Sequence, residues 1–220
     1  MNKDLRYGDL YQSRFGYRDE KDGGGFFIFL AIVILGILLF RAYWTNNFGG
    51  VVVEGRSMNE TLYSGEKLLM EYADDNTEFS HGDVIVVYVG GYEECSSISG
   101  GYLIKRLIAL EGDKLYCTDG QIYICYKNTE QYVPLDEPYA YYTNRDGYDF
   151  KEYVVGEGEI FFLGDNRNNS RDSRYQEENG SHIKGLYKEA DIYGVVPQWA
   201  IDNHSIFEKI FFKETKFLKK

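Results

Sequence analysis

Three stretches of this 220-residue chain carry residues whose types and spacing suit acyl-transfer chemistry. The first is Gly55-Arg56-Ser57-Met58-Asn59-Glu60-Thr61-Leu62, directly after the β-prone Val51–Val53. A serine at the end of a strand exposes a hydroxyl nucleophile and its own backbone N–H on one side of a turn, and acyl transfer uses both. A serine in a turn also serves as a simple turn former, so this stretch decides nothing alone. The second is Tyr102-Leu103-Ile104-Lys105-Arg106-Leu107-Ile108-Ala109-Leu110-Glu111-Gly112-Asp113. Alternate residues of a strand share a face, which sets Lys105 between Leu103 and Leu107 and turns Arg106 the other way. Desolvation among aliphatics disfavours the charged amine, and such a lysine can act as a general base. On an edge strand the same lysine would only discourage aggregation. The third stretch is Gly164 to Arg174, GDNRNNSRDSR, eleven residues with no apolar side chain. It reads as a solvated loop, or as a buried network in which Asp and Arg orient a reactive group. A calcium loop fails because Arg171 stands where such a loop needs Gly, and Arg167 adds more positive charge.

These residues need elements to hold them. After residue 45, short β-prone runs recur: Val51–Val53, Lys67–Tyr72, Val84–Val89, Tyr102–Leu110, Ile122–Tyr126, Glu152–Val155, Ile160–Leu163 and Ile192–Val196. Gly, Asp and Asn punctuate them, as at Gly82-Asp83, Gly112-Asp113 and Asp119-Gly120. Many short strands with few amphipathic helical windows predict an all-β domain, mostly antiparallel. Residues 127–151 are rich in Tyr and charge and poor in aliphatics, and read as a loop or small subdomain outside the main core. Three cysteines, Cys95, Cys117 and Cys125, include no CxxC pair, which excludes zinc-finger and thioredoxin readings. Cys117 and Cys125 bracket a hairpin and either bridge on export or remain thiols.

Residues Phe26 to Phe40 are fifteen consecutive apolar residues or Gly. With Ala42, Tyr43 and Trp44, interrupted by Arg41, the segment approaches the roughly 20 residues that a bilayer core requires. Arg41 can snorkel, and Tyr43 and Trp44 suit the interface. No small-x-small cleavage site follows promptly, so residues 26–44 read as an uncleaved signal anchor. Residues 1–25 carry Lys3, Arg6, Arg14, Arg18 and Lys21, whereas 41–65 carry Arg41 and Arg56. That bias predicts a cytoplasmic tail over 1–25 and places residues from about 45 outside the cell membrane. Residues 206–220 alternate aromatics with Lys; they predict an amphipathic helix on anionic lipid or a helix closing the β-domain. The 24 basic and 35 acidic residues, a net charge of −11, argue against a nucleic-acid partner.

Taken together, the stretches resemble the bacterial type I signal peptidases, the Ser/Lys class of serine proteases. The family's Ser-Met-x-Pro-Thr-Leu is similar to Ser57–Leu62, with Glu60 in place of Pro. Its Gly-Asp-Val/Ile box is matched at Gly82-Asp83-Val84, and its Lys-Arg…Gly-Asp box at Lys105, Arg106, Gly112 and Asp113. Ala109 and Glu111 replace a Gly and a Pro there. The box Gly-Asp-Asn-Arg-x-Asn-Ser-x-Asp-Ser-Arg is met at every fixed position by Gly164 to Arg174. The resemblance covers roughly Val51 to Ile201 plus the anchor.

The resemblance implies a membrane-bound endopeptidase that removes signal peptides from secretory preproteins, with no cofactor and no metal. Ser57 would be the nucleophile and Lys105 the general base. The Ser57 N–H would hold the oxyanion, with Gly55 at the position of a second donor. Ser170 would hydrogen-bond and orient Lys105; Asp165, Asp172, Arg174 and Arg106 would brace the site. Residues 45–205 would form the extracytoplasmic peptidase domain, with about 114–158 as an inserted cap. Substrates would carry small residues before the cut, and lipid would be the second partner. The competing reading is a catalytically degenerate relative that assists assembly of surface structures, suggested by Glu60 and Glu111.

Overall fold

In the computed structural model the described residues are 23–92, 95, 98–145, 148–174 and 187–203. The basic-aromatic segment 206–220 and most of the expected cytoplasmic tail lie outside them. A helix, α1 (Gly23–Asn47), precedes a β-domain, and the two are separate compact units. Its large apolar side chains from Phe26 to Phe40 are exposed, with no polar stripe to face water. The 23 residues Gly25–Asn47 have a mean hydropathy of 2.6 over their most apolar window. At 1.5 Å per residue they reach about 35 Å, enough to cross a bilayer core of about 30 Å. The helix runs through Arg41, where Thr45 Oγ1 bonds back to the Arg41 carbonyl at 3.0 Å.

Among the described residues the β-domain has ten strands: β1 (Phe48–Val52), β2 (Lys67–Tyr72), β3 (Val84–Tyr88), β4 (Tyr102–Ala109), β5 (Lys114–Thr118), β6 (Gln121–Cys125), β7 (Val133–Pro134), β8 (Phe150–Val154), β9 (Phe161–Leu163) and β10 (Ile192–Val196). A five-residue helix, α2 (Gln198–Asp202), follows. One sheet has the order β1-β2-β10-β3-β4-β9, the other β7-β6-β5-β8. Every pairing within both sheets is antiparallel. The all-β, mostly antiparallel architecture behind one apolar helix is thus the one the sequence predicts.

Two strands escaped the sequence reading. In β5 only Leu115 and Cys117 are buried, and five residues show too little alternation to stand out. β7 contains Pro134, which is tolerated because the strand lies at a sheet edge. The bridge left open between Cys117 and Cys125 is absent; all three cysteines are free and buried. The register pairs Cys117 with Ile122 and Cys125 with Lys114. Three strand positions separate the thiols, about 10 Å, beyond the roughly 7 Å that a disulfide spans.

One core lies between the sheets and joins Ile108, Ala109, Phe161 and Leu163 to Leu115, Ile122, Ile124, Phe150 and Tyr153. A second cluster holds Ile85, Val87, Leu107, Ile160, Phe162, Tyr187 and Ile192. Phe162 and its β9 neighbours thus face different cores, as period-two alternation requires. A register irregularity between Leu107 and Ala109 lets the adjacent Ile108 and Ala109 enter the same core.

Candidate active site

Ser57 sits on a tight turn leaving β1. The ladder continues past the strand through Val53 N–H to Glu66 O (2.9 Å) and Gly65 N–H to Val53 O (2.9 Å). The chain then folds on itself, with Thr61 and Leu62 N–H both donating to the Met58 carbonyl at 3.0 and 2.8 Å. Buried Met58 and Leu62 pin this turn to the domain. Lys105 comes from β4, paired across to Ile85 of β3, and only 2 % of it is exposed. Its Nζ is hydrogen-bonded to Ser57 Oγ at 2.7 Å and donates to the Ile104 carbonyl at 2.9 Å. Burial pulls the amine down to about 8, against the opposing pull of the Asp172 and Asp165 carboxylates. The Ser57 N–H has no hydrogen-bond partner among the described residues, whereas Gly55 N–H donates to Ser64 Oγ at 3.3 Å.

The apolar-free segment 164–174 packs under this turn through buried Gly164 to Arg167 and Asp172, while Asn168 and Asn169 are exposed. Asn166 N–H donates to the Ser57 carbonyl at 2.9 Å, and Asn166 Nδ2 to the Arg56 carbonyl at 3.0 Å. Gly164 comes so close that a Cβ there would collide with Ser170 Oγ and the Ser57 carbonyl. Asp165 receives both arms of Arg106, at 2.8 and 2.7 Å, and the Thr61 hydroxyl at 2.5 Å. Arg106 also donates to the Gly82 carbonyl at 2.8 Å and lies 3.9 Å over the Tyr139 ring. Asp172 accepts two bonds from the Arg174 guanidinium, both 2.8 Å, the Arg174 N–H at 3.3 Å and the Gly164 N–H at 3.1 Å. Burial works to raise the Asp172 carboxyl, but the Arg174 charge and these bonds outweigh it and hold it below the ordinary range.

The residues expected at the site come together, with one departure in geometry. Lys105 meets Ser57 and the Ile104 carbonyl rather than Ser170, whose buried Oγ lies against the Asp172 carboxylate. The close approach of Gly164 sets that hydroxyl against the turn. Sequence reasoning missed Thr61, Glu137, Tyr139 and the use of Arg167. Arg167 Nη1 donates to Glu137 at 2.9 Å and to Tyr142 Oη at 3.0 Å, and its Nη2 pairs with the other Glu137 oxygen. Arginine inside an apolar-free segment was a usable signal for a buried partner, but its distance from Glu137 along the chain hid which one.

A groove of about 600 Å³ opens beside Ser57 and Lys105. Val53, Met58, Met70, Val86 and Ile104 supply its apolar side chains, beside polar backbone and side-chain groups. β1 is an outer strand, and β9 pairs only with Arg106, Leu107 and Ala109. The stretches Gly50–Val52 and Tyr102–Lys105 therefore line the groove with backbone edges that lack a strand partner among the described residues.

Comparison with known proteins matches residues 25–200 to the family described as signal peptidase, peptidase S26. The chain belongs to the S26 signal peptidase family. It is thus a peptidase of the serine class, a hydrolase. Signal peptidase I U of Bacillus subtilis is 34 % identical over 174 residues, covering 76 % of this chain and 82 % of that protein. Signal peptidase I of Bacillus licheniformis is 33 % identical, covering 67 % of this chain and 74 % of that protein. A solved signal peptidase I from Enterococcus faecalis V583 is 26 % identical, covers 55 % of this chain and 98 % of its own, and superposes with a TM-score of 0.39.

Within this S26 chain, both departures from the family pattern have structural consequences. Glu60 adopts φ +74°, a left-handed conformation that proline, locked near −65°, cannot reach. The turn after Ser57 is therefore built differently from a proline turn. Glu111 accepts from Lys127 Nζ at 2.9 Å and from the Gly158 N–H at 3.0 Å. Those bonds hold its carboxyl below the ordinary range and tie the β4–β5 turn to its neighbours. Asp113 accepts the N–H groups of Leu110 and Lys127 at 2.9 and 2.8 Å and meets His81 at 2.6 Å, which gives that histidine a structural partner.

Proposed function

We propose that this peptidase removes signal peptides from secretory preproteins with Ser57 as nucleophile and Lys105 as general base. The observation that carries the reading is the 2.7 Å contact between Lys105 Nζ and Ser57 Oγ beside the groove. The neutral amine takes the hydroxyl proton while Oγ bonds to the scissile carbonyl carbon. The Ser57 N–H stabilises the oxyanion. The C–N bond then breaks and the Lys105 ammonium returns its proton to the leaving amine. Water, deprotonated by the same amine, attacks the ester, and its collapse restores the serine. Arg106, Asp165, Asp172, Arg174 and Ser170 are positioning residues that hold the serine turn against β4.

The groove's free backbone edges suit a substrate bound as an added strand. Side chains on one face of that strand would meet Met70, Val86 and Ile104, whose bulk leaves room for small residues just before the cut. Residues 114–158 form a cap inserted into a peptidase domain over 45–205. Helix α1 anchors the chain in the cell membrane with residues 1–25 cytoplasmic, so that the groove meets leaders as they emerge. A labelled preprotein incubated with the detergent-solubilised chain tests the reading. Ser57→Ala and Lys105→Ala each lower cleavage on the order of 10⁴-fold or more. Wild-type cleavage no faster than that of Ser57→Ala would instead favour the degenerate, non-enzymatic relative.

A further inference from the structure

Met70 of β2, Val86 of β3 and Ile104 of β4 line the groove beside Ser57. Residues two apart on a strand share a face, so the next positions on that face are Tyr72, Tyr88 and Tyr102. The register sets Val86 opposite Ile104 and Tyr88 opposite Tyr102, and places Tyr72 level with Val86 across Gly194 of β10. A register irregularity between Ile192 and Gly194 brings Tyr193 of β10 into the same row. The rings form one chain of contacts: Tyr72 to Tyr193 at 5.4 Å, Tyr193 to Tyr102 at 5.2 Å and Tyr102 to Tyr88 at 5.1 Å. A Cβ at Gly49 would lie 2.7 Å from Tyr72 Cζ, and one at Gly90 2.8 Å from Tyr88 Oη. The rings thus lie down over bare backbone, yet Tyr88, Tyr102 and Tyr193 remain 44 %, 42 % and 44 % exposed. Tyr102 and Tyr193 line both the groove and an adjoining depression of about 250 Å³ that includes Tyr88.

We propose that this tyrosine row binds the substrate upstream of the cleavage point and selects a bulky apolar or aromatic side chain at the fifth residue before the cut. The inference rests on the strand-like substrate of the preceding section. Its first and third residues before the cut face the aliphatic row, and the next side chain on that face belongs to the fifth. Four residues of extended chain reach about 13 Å, while Tyr102 is about 10 Å along β4 from Lys105 and its ring and that of Tyr193 reach further. Ring faces take up apolar and aromatic side chains. Continuity with the groove favours the same occupant over a lipid surface.

Two soluble peptides that differ only in Phe or Ala at the fifth position before the cut test this with the full chain in detergent. The Phe peptide is cleaved with about tenfold higher kcat/KM, and the ratio falls toward one in Tyr88→Ala and in Tyr193→Ala. Cleavage of the Ala peptide, lost in Ser57→Ala, together with no Phe preference would overturn the subsite and leave the enzymatic reading intact. A preference that survives both variants would also overturn it. So would variant defects that appear only after reconstitution into lipid vesicles, because the row would then serve the membrane. Failure to cleave either peptide or the labelled preprotein would remove the reading on which the subsite rests.

Discussion

In the proposed mechanism the protonation of Lys105 governs activity, and the same titration acts on stability. Its amine, drawn down to about 8 by burial, must be neutral to act as a base. The kcat/KM of the wild-type chain should therefore climb about tenfold per pH unit on the acid side and level off above about 8. A flat profile through that range would contradict the assignment. The same shift acts on folding. An unfolded lysine titrates near ~10.4, so between the two values the unfolded chain binds the extra proton. The destabilisation is full below the folded value and fades as pH rises from about 8 toward the unfolded one. Lys105→Met should abolish cleavage yet raise the thermal midpoint at neutral pH, with the gain shrinking in alkaline buffer. Thermal unfolding at the two pH values checks this.

The turn that presents Ser57 is the element most particular to this chain. Glu60 is held at φ +74°, a conformation that costs a non-glycine residue roughly 1–2 kcal/mol. Its carboxylate accepts only an exposed 3.2 Å bond from Tyr63, which returns little. Glu60→Gly should raise the midpoint by a few degrees with activity retained. Glu60→Pro, which restores the family residue, should lower both, activity by about tenfold or more, because the fixed ring cannot follow the turn. Thermal melts and preprotein cleavage of the two variants provide the check; a stabilised proline variant would show that the turn follows the family pattern. The position was legible in the sequence as a departure from Pro, but its backbone conformation was not. Nothing in Ser-Met-Asn-Glu-Thr-Leu distinguishes a left-handed glutamate from a loosened proline turn. The β4 strand, by contrast, was readable, because the apolar run around Lys105 is long enough to show itself.

Across the whole molecule, a buried ion pair links the long connection before β8 to the segment after β9, and an aromatic contact links that connection to β4. Arg167 is fully buried against Glu137, and Tyr139 covers Arg106. Glu137→Ala would leave a buried guanidinium without its counter-charge, a change worth about 3–5 kcal/mol. The expected outcome is a fall of about 10 °C in the thermal midpoint and reduced cleavage. A melt within a degree or two of wild type would show that the pair is dispensable.

Local chemistry in the sequence was enough to single out the turn serine, the lysine among aliphatics and the polar segment as candidates, and to read the apolar helix and the antiparallel strands. Each is written in neighbouring residues, through alternation, apolar run length or residue type. What the linear order left open was decided by strand register and by contacts between distant segments. Register kept Cys117 and Cys125 apart and aligned four tyrosines into one row. Packing brought the lysine amine to the serine hydroxyl across 48 positions of chain and decided between the solvated loop and the buried network that the polar segment left open, burying Asp165, Arg167 and Asp172. Such pairings depend on which surfaces meet when the sheet curls, and that is a property of the folded whole.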